Sequence, residues 1–306
     1  MTATNASRAQ GRVHDDVVSA LARTIEEQYV FPEVARRIAD ELRSRTFRYD
    51  GPDSLADEVR AFLRTHDRHL SLIWRSATAP EDGPARTDLD DPEVLRRSNY
   101  GVRQVSLHDG NVGLVDLTLI CDADQLDVLA TYRAAIGLTA HADAVVLDLR
   151  DLPGGWPSGC TLLLGHFLPP EPPTHLLTLT RRHGHSIEDW TPVENPLGHR
   201  PDVPLFLVVD ERTASAAEAL AYVAQSLGRA TVVGRPTAGA ANPSDFFPLG
   251  DDFTALIPTA APIDPRTGTN WEAVGVQPDV PVASADALEH ALALGARMAG
   301  SQTPVE

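Results

Sequence analysis

PLFLVVDERTASAAEALAYVAQSLGRATVVG, residues 204–234, reads as one strand–turn–helix–strand unit. Pro204 to Val209 is a short unbroken apolar run, as expected of a strand covered on both faces. A polar turn follows it, then a helix from about Ala214 to Leu227 and a second apolar run from Ala230 to Val233. Upstream the alternation repeats: Asn111 to Leu119 and Ala144 to Leu149 predict strands, with a helical segment from Asp124 to Leu138 between them. Strand–helix–strand order with nearly continuous apolar strands implies an α/β core built on a largely parallel sheet. Thr254 to Ile257 adds a β-branched segment and Ala285 to Met298 a closing helix, and no internal repeat is visible.

Before this core the texture is helical. Val17, Leu21 and Ile25 recur at helical spacing, Val34, Ile38 and Leu42 repeat it beyond Pro32, and Ser54 reads as the N-cap of a third helix. The expected organisation is a disordered N-terminus over 1–12, a helical domain over 13–76, a linker over 77–98, a catalytic α/β core over 99–300 and a tail over 301–306. With 306 residues and 42% hydrophobic content the chain can bury a sizeable core. A net charge of −17, from 43 acidic and 26 basic residues, repels phosphate backbones and anionic lipid, so neither nucleic acid nor a membrane surface is an expected partner. All the basic residues are arginine; the chain has no lysine. Cys121 and Cys160 form neither a metal spacing nor a disulfide framework and are expected to be reduced, packed thiols. Met1 to Arg12 lacks the apolar centre of a signal peptide, and no apolar run reaches the ~20 residues that span a bilayer, which predicts a soluble, cytoplasmic protein.

Three segments can carry chemistry. Ser215 is expected at the start of a helix, beside backbone N–H groups without intrahelical partners, an arrangement that favours developing negative charge. The competing reading is a plain helix cap by Ser215 or Thr213, with Glu218 completing a capping box. In LDLRDLPGGWPSG a strand runs into Gly154-Gly155, where bare peptide groups at a sheet's C-terminal edge admit a substrate carbonyl; an ordinary tight turn is the alternative. In THDRHLSLIW, His66 and His69 are candidate general bases, with a surface position as the alternative. Neither His66 with His69 nor His183 with His185 has a third ligand nearby, so no metal site is expected.

Taken in order, these segments resemble the C-terminal-processing (tail-specific) protease family, and most closely its branch similar to the interphotoreceptor retinoid-binding protein and the tricorn core protease. The matching motifs are TASAAE at 213–218, GRATVVG at 228–234, TAG at 237–239, DLR with PGG at 148–155, NWE.VGV.PDV at 270–280 and D.HL at 67–70; together they cover roughly residues 13 to 283. The resemblance implies a crotonase-like and Clp-protease-like core of β-β-α units with an N-terminal helical bundle. It implies Ser215 as nucleophile, and as oxyanion hole the backbone N–H of Ala216 with that of Gly155 or Gly154. Many members pair the serine with a lysine 25 positions later; here that position is Ala240. The tricorn-like branch uses His and Glu instead, which implies His69 as general base and Glu272 as the group that orients it. No cofactor or metal is needed for that chemistry.

Departures from the family pattern cluster near the expected site. Asp151-Leu152 replaces the usual Gly-Asn of the loop, Trp156 follows the glycines where a small residue is commoner, and Arg235 replaces an acidic residue. Trp156, Arg235 and Asn242 are the expected pocket residues. No PDZ-like module separates His69 from Gly154. The leading expectation is a serine peptidase acting on a peptide or small acyl substrate through an acyl-enzyme. Esterase, transfer or cyclisation chemistry on a small metabolite is one alternative, and a non-catalytic binder of an apolar ligand is another.

Overall fold

A computed structural model of the chain describes residues 16–48, 50–74 and 91–301, which divide between two compact units. The smaller unit takes 1–82, 179–187 and 242–262, and the larger takes 83–178, 188–241 and 263–306. The expected N-terminal tail over 1–12, residues 77–90 of the expected linker and residues 302–306 lie outside the described residues.

In the smaller unit, helix α1 (16–28) is followed by α2 (Pro32–Ser44) and α3 (Pro52–Leu63). Proline opens α2 and α3 at the first helical turn, where the missing N–H is no loss. Ile38 and Leu42 of α2, and Leu55, Val59, Phe62 and Leu63 of α3, form their buried stripes. Ser54 is not the N-cap expected from the sequence. Gly51 holds that place, and the Ser54 hydroxyl instead donates to Gly51 O and accepts from Asp50 N–H. Strands β1 (Ser71–Trp74), β9 (Ser244–Leu249) and β10 (Phe253–Pro258) form an antiparallel sheet in the order β1-β10-β9. Residues 242–262, read from the sequence as part of the 99–300 core, therefore join the N-terminal helices, because β10 is the ladder partner of β1 among the described residues.

The larger unit begins with α4 (Pro92–Arg97), a short helix inside the segment expected as linker. Asp91 caps it by accepting from Glu93 N–H and Val94 N–H. Strands β2 (Val102–His108), β3 (Val112–Leu117), β4 (Ala144–Asp148), β7 (Leu205–Val209), β8 (Ala230–Gly234) and β12 (Val280–Pro281) form a six-stranded sheet in the order β12-β8-β7-β4-β3-β2. All neighbours pair in parallel except β2, which runs antiparallel to β3 at one edge. Helices α5 (Leu126–Leu138), α6 (Pro157–His166), α7 (Ala216–Ser226) and α8 (Ser284–Ser301) complete the unit. Alternate strand residues enter two cores: Ala144, Val146, Phe206 and Val208 meet Ala287 and Ala291 of α8, while Val145, Leu147, Leu205 and Leu207 share the other core with α5, α6 and α7. Coverage on both faces explains the unbroken apolar runs in the sequence. A third, small sheet has the order β11-β5-β6, from β5 (His175–Arg181), β6 (Ile187–Trp190) and β11 (Ala260–Ile263). No helix among the described residues is long and apolar enough to cross a membrane.

Because β4 and β7 are parallel neighbours, the loop that follows β4 and the turn that follows β7 leave the same edge of the sheet. Open α/β sheets bind ligands at that edge.

Candidate active site

The turn between β7 and α7 is tied by its own side chains. Asp210, buried, accepts on Oδ1 from Arg212 N–H (3.0 Å) and Thr213 N–H (3.0 Å), and from Asp151 N–H (3.1 Å) in the loop after β4. Thr213 accepts from Asp210 N–H and donates its hydroxyl to Leu149 O at 2.8 Å, while Ala214 N–H donates to Leu152 O at 2.9 Å. Arg212 and the Asp151 carboxylate add an ion pair across the same gap. Asp151 has φ +59, which accounts for the glycine usual at this place: after glycine, Asp and Asn tolerate the left-handed region best.

Ser215 ends the turn as the N-cap of α7, with φ +51 and ψ −119. A side chain in that region costs on the order of 1–3 kcal/mol, and such strain persists only where surrounding bonds over-determine it. Here the surrounding bonds are those of Asp210, Thr213 and Glu218. Ala216, the next residue, opens the helix, so its N–H has no intrahelical acceptor. Gly154 lies directly against this corner: a Cβ on it would stand 2.7 Å from Ser215 Cβ and 3.3 Å from Ala216 N, and its φ of +126 suits glycine alone. Ile120 N–H donates to Gly154 O and Trp156 N–H to Ile120 O, so the Gly155 N–H takes no part in that pair of bonds. Beneath the corner, the buried Cys160 thiol donates to Ala216 O at 2.9 Å, and burial pushes its pKa far up; burial likewise pushes the Cys121 thiol up to about 12. Both cysteines are free and buried.

Glu218 does more than complete a capping box. It is wholly buried, and its carboxylate accepts from Ser215 N–H (2.8 Å), Thr237 Oγ1–H (2.5 Å), Gly239 N–H (2.7 Å) and Ala240 N–H (2.9 Å). Burial pushes its pKa up, and the four donors pull it part of the way back. The carboxylate therefore joins the Ser215 corner to the loop after β8. That loop in turn reaches Glu272: Ala241 N–H donates to Glu272 Oε2 at 2.7 Å, and Ala273 N–H donates to Gly239 O.

The remaining expected residues fall as follows. His69, half-buried, belongs to the smaller unit, where its N–H donates to Asp67 Oδ1 (2.8 Å) and its Nδ1 is 3.9 Å from the same oxygen. Asp67 is buried and also accepts from Tyr29 Oη–H (2.9 Å) and Asn242 Nδ2–H (3.0 Å). Asn242, expected to line a pocket, is thus buried with its amide spent on the His69 segment. His66 lies edge-on to Phe62 with Nε2 3.4 Å from Glu41, and His183 Nε2 pairs with Glu27 O. In the larger unit Trp156 is half-buried at the N-cap of α6, and Arg235 is exposed with its N–H on Val209 O. Ser215, Ala216 and Gly154 come together at one corner, Gly155 follows in the chain and is bridged to Ile120, and Glu272 is bonded to the loop that Glu218 holds. Asp67, Asp210 and Thr237 are participants to which the sequence reading assigned no role, although Asp67 and Thr237 stand in the D.HL and TAG motifs. For Asp210 the signal was present, since an Asp two residues before an Arg-Thr turn is an Asx-turn pattern; Asp67 and Thr237 find their partners far along the chain.

A family model described as Peptidase family S41 matches residues 111–282. A carboxyl-terminal-processing protease of Picosynechococcus sp. is 32% identical over 165 residues, which are 54% of this chain and 36% of that protein. A carboxy-terminal-processing protease of Bartonella bacilliformis is 28% identical over 177 residues, 57% of this chain and 39% of that protein. The chain thus matches less than half the length of either relative. Among solved structures, the photosystem II D1 C-terminal processing protease superposes with a TM-score of 0.56 at 16% identity, covering 89% of this chain and 93% of that one. The tricorn protease superposes with a TM-score of 0.56 at 13% identity, covering 94% of this chain and 37% of that one. At such identities the two structures speak for the fold alone.

Proposed function

The chain belongs to peptidase family S41, and on that premise we propose that it is a serine peptidase with Ser215 as nucleophile, His69 as general base and Glu272 as the orienting acid. Ser215 Oγ attacks the scissile carbonyl while His69 takes its proton. The C–N bond then breaks, the amine leaves with the proton returned by His69, and water hydrolyses the acyl-enzyme by the same route. The oxyanion is received by the Ala216 N–H with that of Gly155 or Gly154, each donor contributing on the order of 3 kcal/mol. The observation that carries the reading is the Ser215 corner, a side chain held at φ +51 on a helix N-terminus with bare glycine backbone against it. Strand-to-helix corners of this kind present nucleophiles in other hydrolases.

The machinery has no Ser–Lys dyad. The position of the family lysine is Ala240, whose N–H instead serves Glu218. Asp67 holds the main chain of His69 in place. We read the repeated strand–helix order as a crotonase-like core, and Trp156 and Arg235 as the residues that set substrate preference. The substrate class is a peptide.

Intact-mass labelling with a fluorophosphonate tests the reading. Stoichiometric labelling of the wild type that is lost in Ser215→Ala and His69→Ala supports it. A folded wild type that takes no label refutes it.

A further inference from the structure

We propose that Thr237 is a positioning residue whose hydroxyl fixes the Glu272 carboxylate with respect to Ser215; this rests on the reading of Ser215 and Glu272 given above. Thr237 follows β8 and is buried. Its Oγ1 donates to Glu218 Oε1 at 2.5 Å and accepts from Val276 N–H at 2.7 Å. Its own N–H donates to Val276 O at 3.2 Å. Glu218 caps Ser215 through the other carboxylate oxygen, and Val276 lies four residues after Glu272 in the same loop. One hydroxyl is therefore bonded on one side to the group that holds the nucleophile and on the other to the loop that holds the acid. The bonds of Ala241 N–H to Glu272 Oε2 and of Ala273 N–H to Gly239 O extend the same seam.

The hydroxyl is the acceptor that the Val276 N–H uses. Without it the Val276 N–H, in a residue that is 1% exposed, loses its acceptor. A buried unpaired donor is costly enough to shift a loop, and a shift of about 1 Å at a catalytic group lowers rates roughly a hundredfold. Valine keeps the shape of threonine and removes the hydroxyl, whereas serine keeps the hydroxyl.

The test compares fluorophosphonate labelling rates of the full chain for wild type, Thr237→Val, Thr237→Ser, Glu272→Gln and the Thr237→Val/Glu272→Gln double variant, with thermal melts alongside. Thr237→Val is expected to slow labelling by about ten- to a hundredfold and Thr237→Ser by no more than about threefold. In the Glu272→Gln background, Thr237→Val is expected to add less than about threefold, since the hydroxyl then has no carboxylate to place. Should Thr237→Val not melt cooperatively, Thr237→Cys, a weak donor of similar size, replaces it with the same thresholds. Wild-type rates in Thr237→Val, equal slowing by serine and valine, or full additivity in the double variant would each overturn the proposal while leaving the site reading intact. A wild type that takes no label, or a Glu272→Gln variant that labels at the wild-type rate, would overturn the site reading and the proposal together.

Discussion

Replacing Gly154 by alanine separates what the Ser215 corner does for stability from what it does for chemistry. The added methyl would lie 2.7 Å from Ser215 Cβ, and ordinary contact begins at 3.4 Å, so one of the two backbones must retreat by 3.4 − 2.7 = 0.7 Å. Alanine at φ +126 also adds backbone strain on the order of 1–3 kcal/mol. At ~2–4 °C per kcal/mol for a chain of this size class, the melting temperature is expected to fall by roughly 2–12 °C. The retreat moves the proposed oxyanion donor by most of an ångström, and the loss of one such donor costs about a hundredfold or more in rate. A scanning-calorimetry melt gives the first quantity, and the second-order rate constant for fluorophosphonate labelling, measured well below the melt, gives the second. Labelling within about threefold of wild type in a Gly154→Ala protein whose melting temperature has dropped would refute the placement of this peptide at the oxyanion.

Ser215→Gly removes the strained side chain from φ +51 and is expected to stabilise the protein by about 1 kcal/mol, less the few tenths lost with the cap, while abolishing labelling; a urea midpoint below that of the wild type would contradict it. His166, buried at the end of α6, donates from Nδ1 to Gly198 O; desolvation holds its pKa below 6.5, with the Gly198 carbonyl opposing and the nearby Arg200 and His199 adding to the depression. The unfolded chain then binds the proton more readily than the folded one, so this contribution to stability is complete above pH 6.5 and is lost as pH falls through the folded-state value. Urea midpoints between about pH 5 and 7 should show a shallower slope for His166→Gln than for wild type, and parallel slopes would count against a neutral buried imidazole.

What the sequence disclosed, and what it withheld, follows from range. Strands β3, β4, β7 and β8 were legible because each is covered on both faces and therefore largely apolar, and α7 because it follows one of them and precedes another. β9, SDFFPL, carries a proline, an exposed Phe246 and no period, so nothing local marks it; its strand state comes from pairing with β10. Ser54 misled because Pro52 offers an earlier start, with Gly51 as cap. In the site, Ser215 and Gly154 were readable from strand–turn–helix order and paired glycines. Asp67 was not, since its partners Tyr29 and Asn242 stand 38 and 175 positions away. Thr237 was hidden for the same reason: Glu218 and Val276 are 19 and 39 positions distant. The Asp151 departure from the family pattern is accommodated by the Asp210 and Arg212 contacts that receive it.

The pairing of β1 with β10 sets an order of events on the ribosome. Between Trp74, the last residue of β1, and Phe253, the first residue of the strand it pairs with, 178 residues intervene. At roughly 5–20 residues per second, the nascent helices and their lone strand wait about 10–35 seconds for that partner. In that interval β3, β4, β7 and β8 of the larger unit have all been synthesised. The segment that carries β1, made well before its partner strand, is thus among the last to finish folding, and its apolar side stays uncovered for that interval.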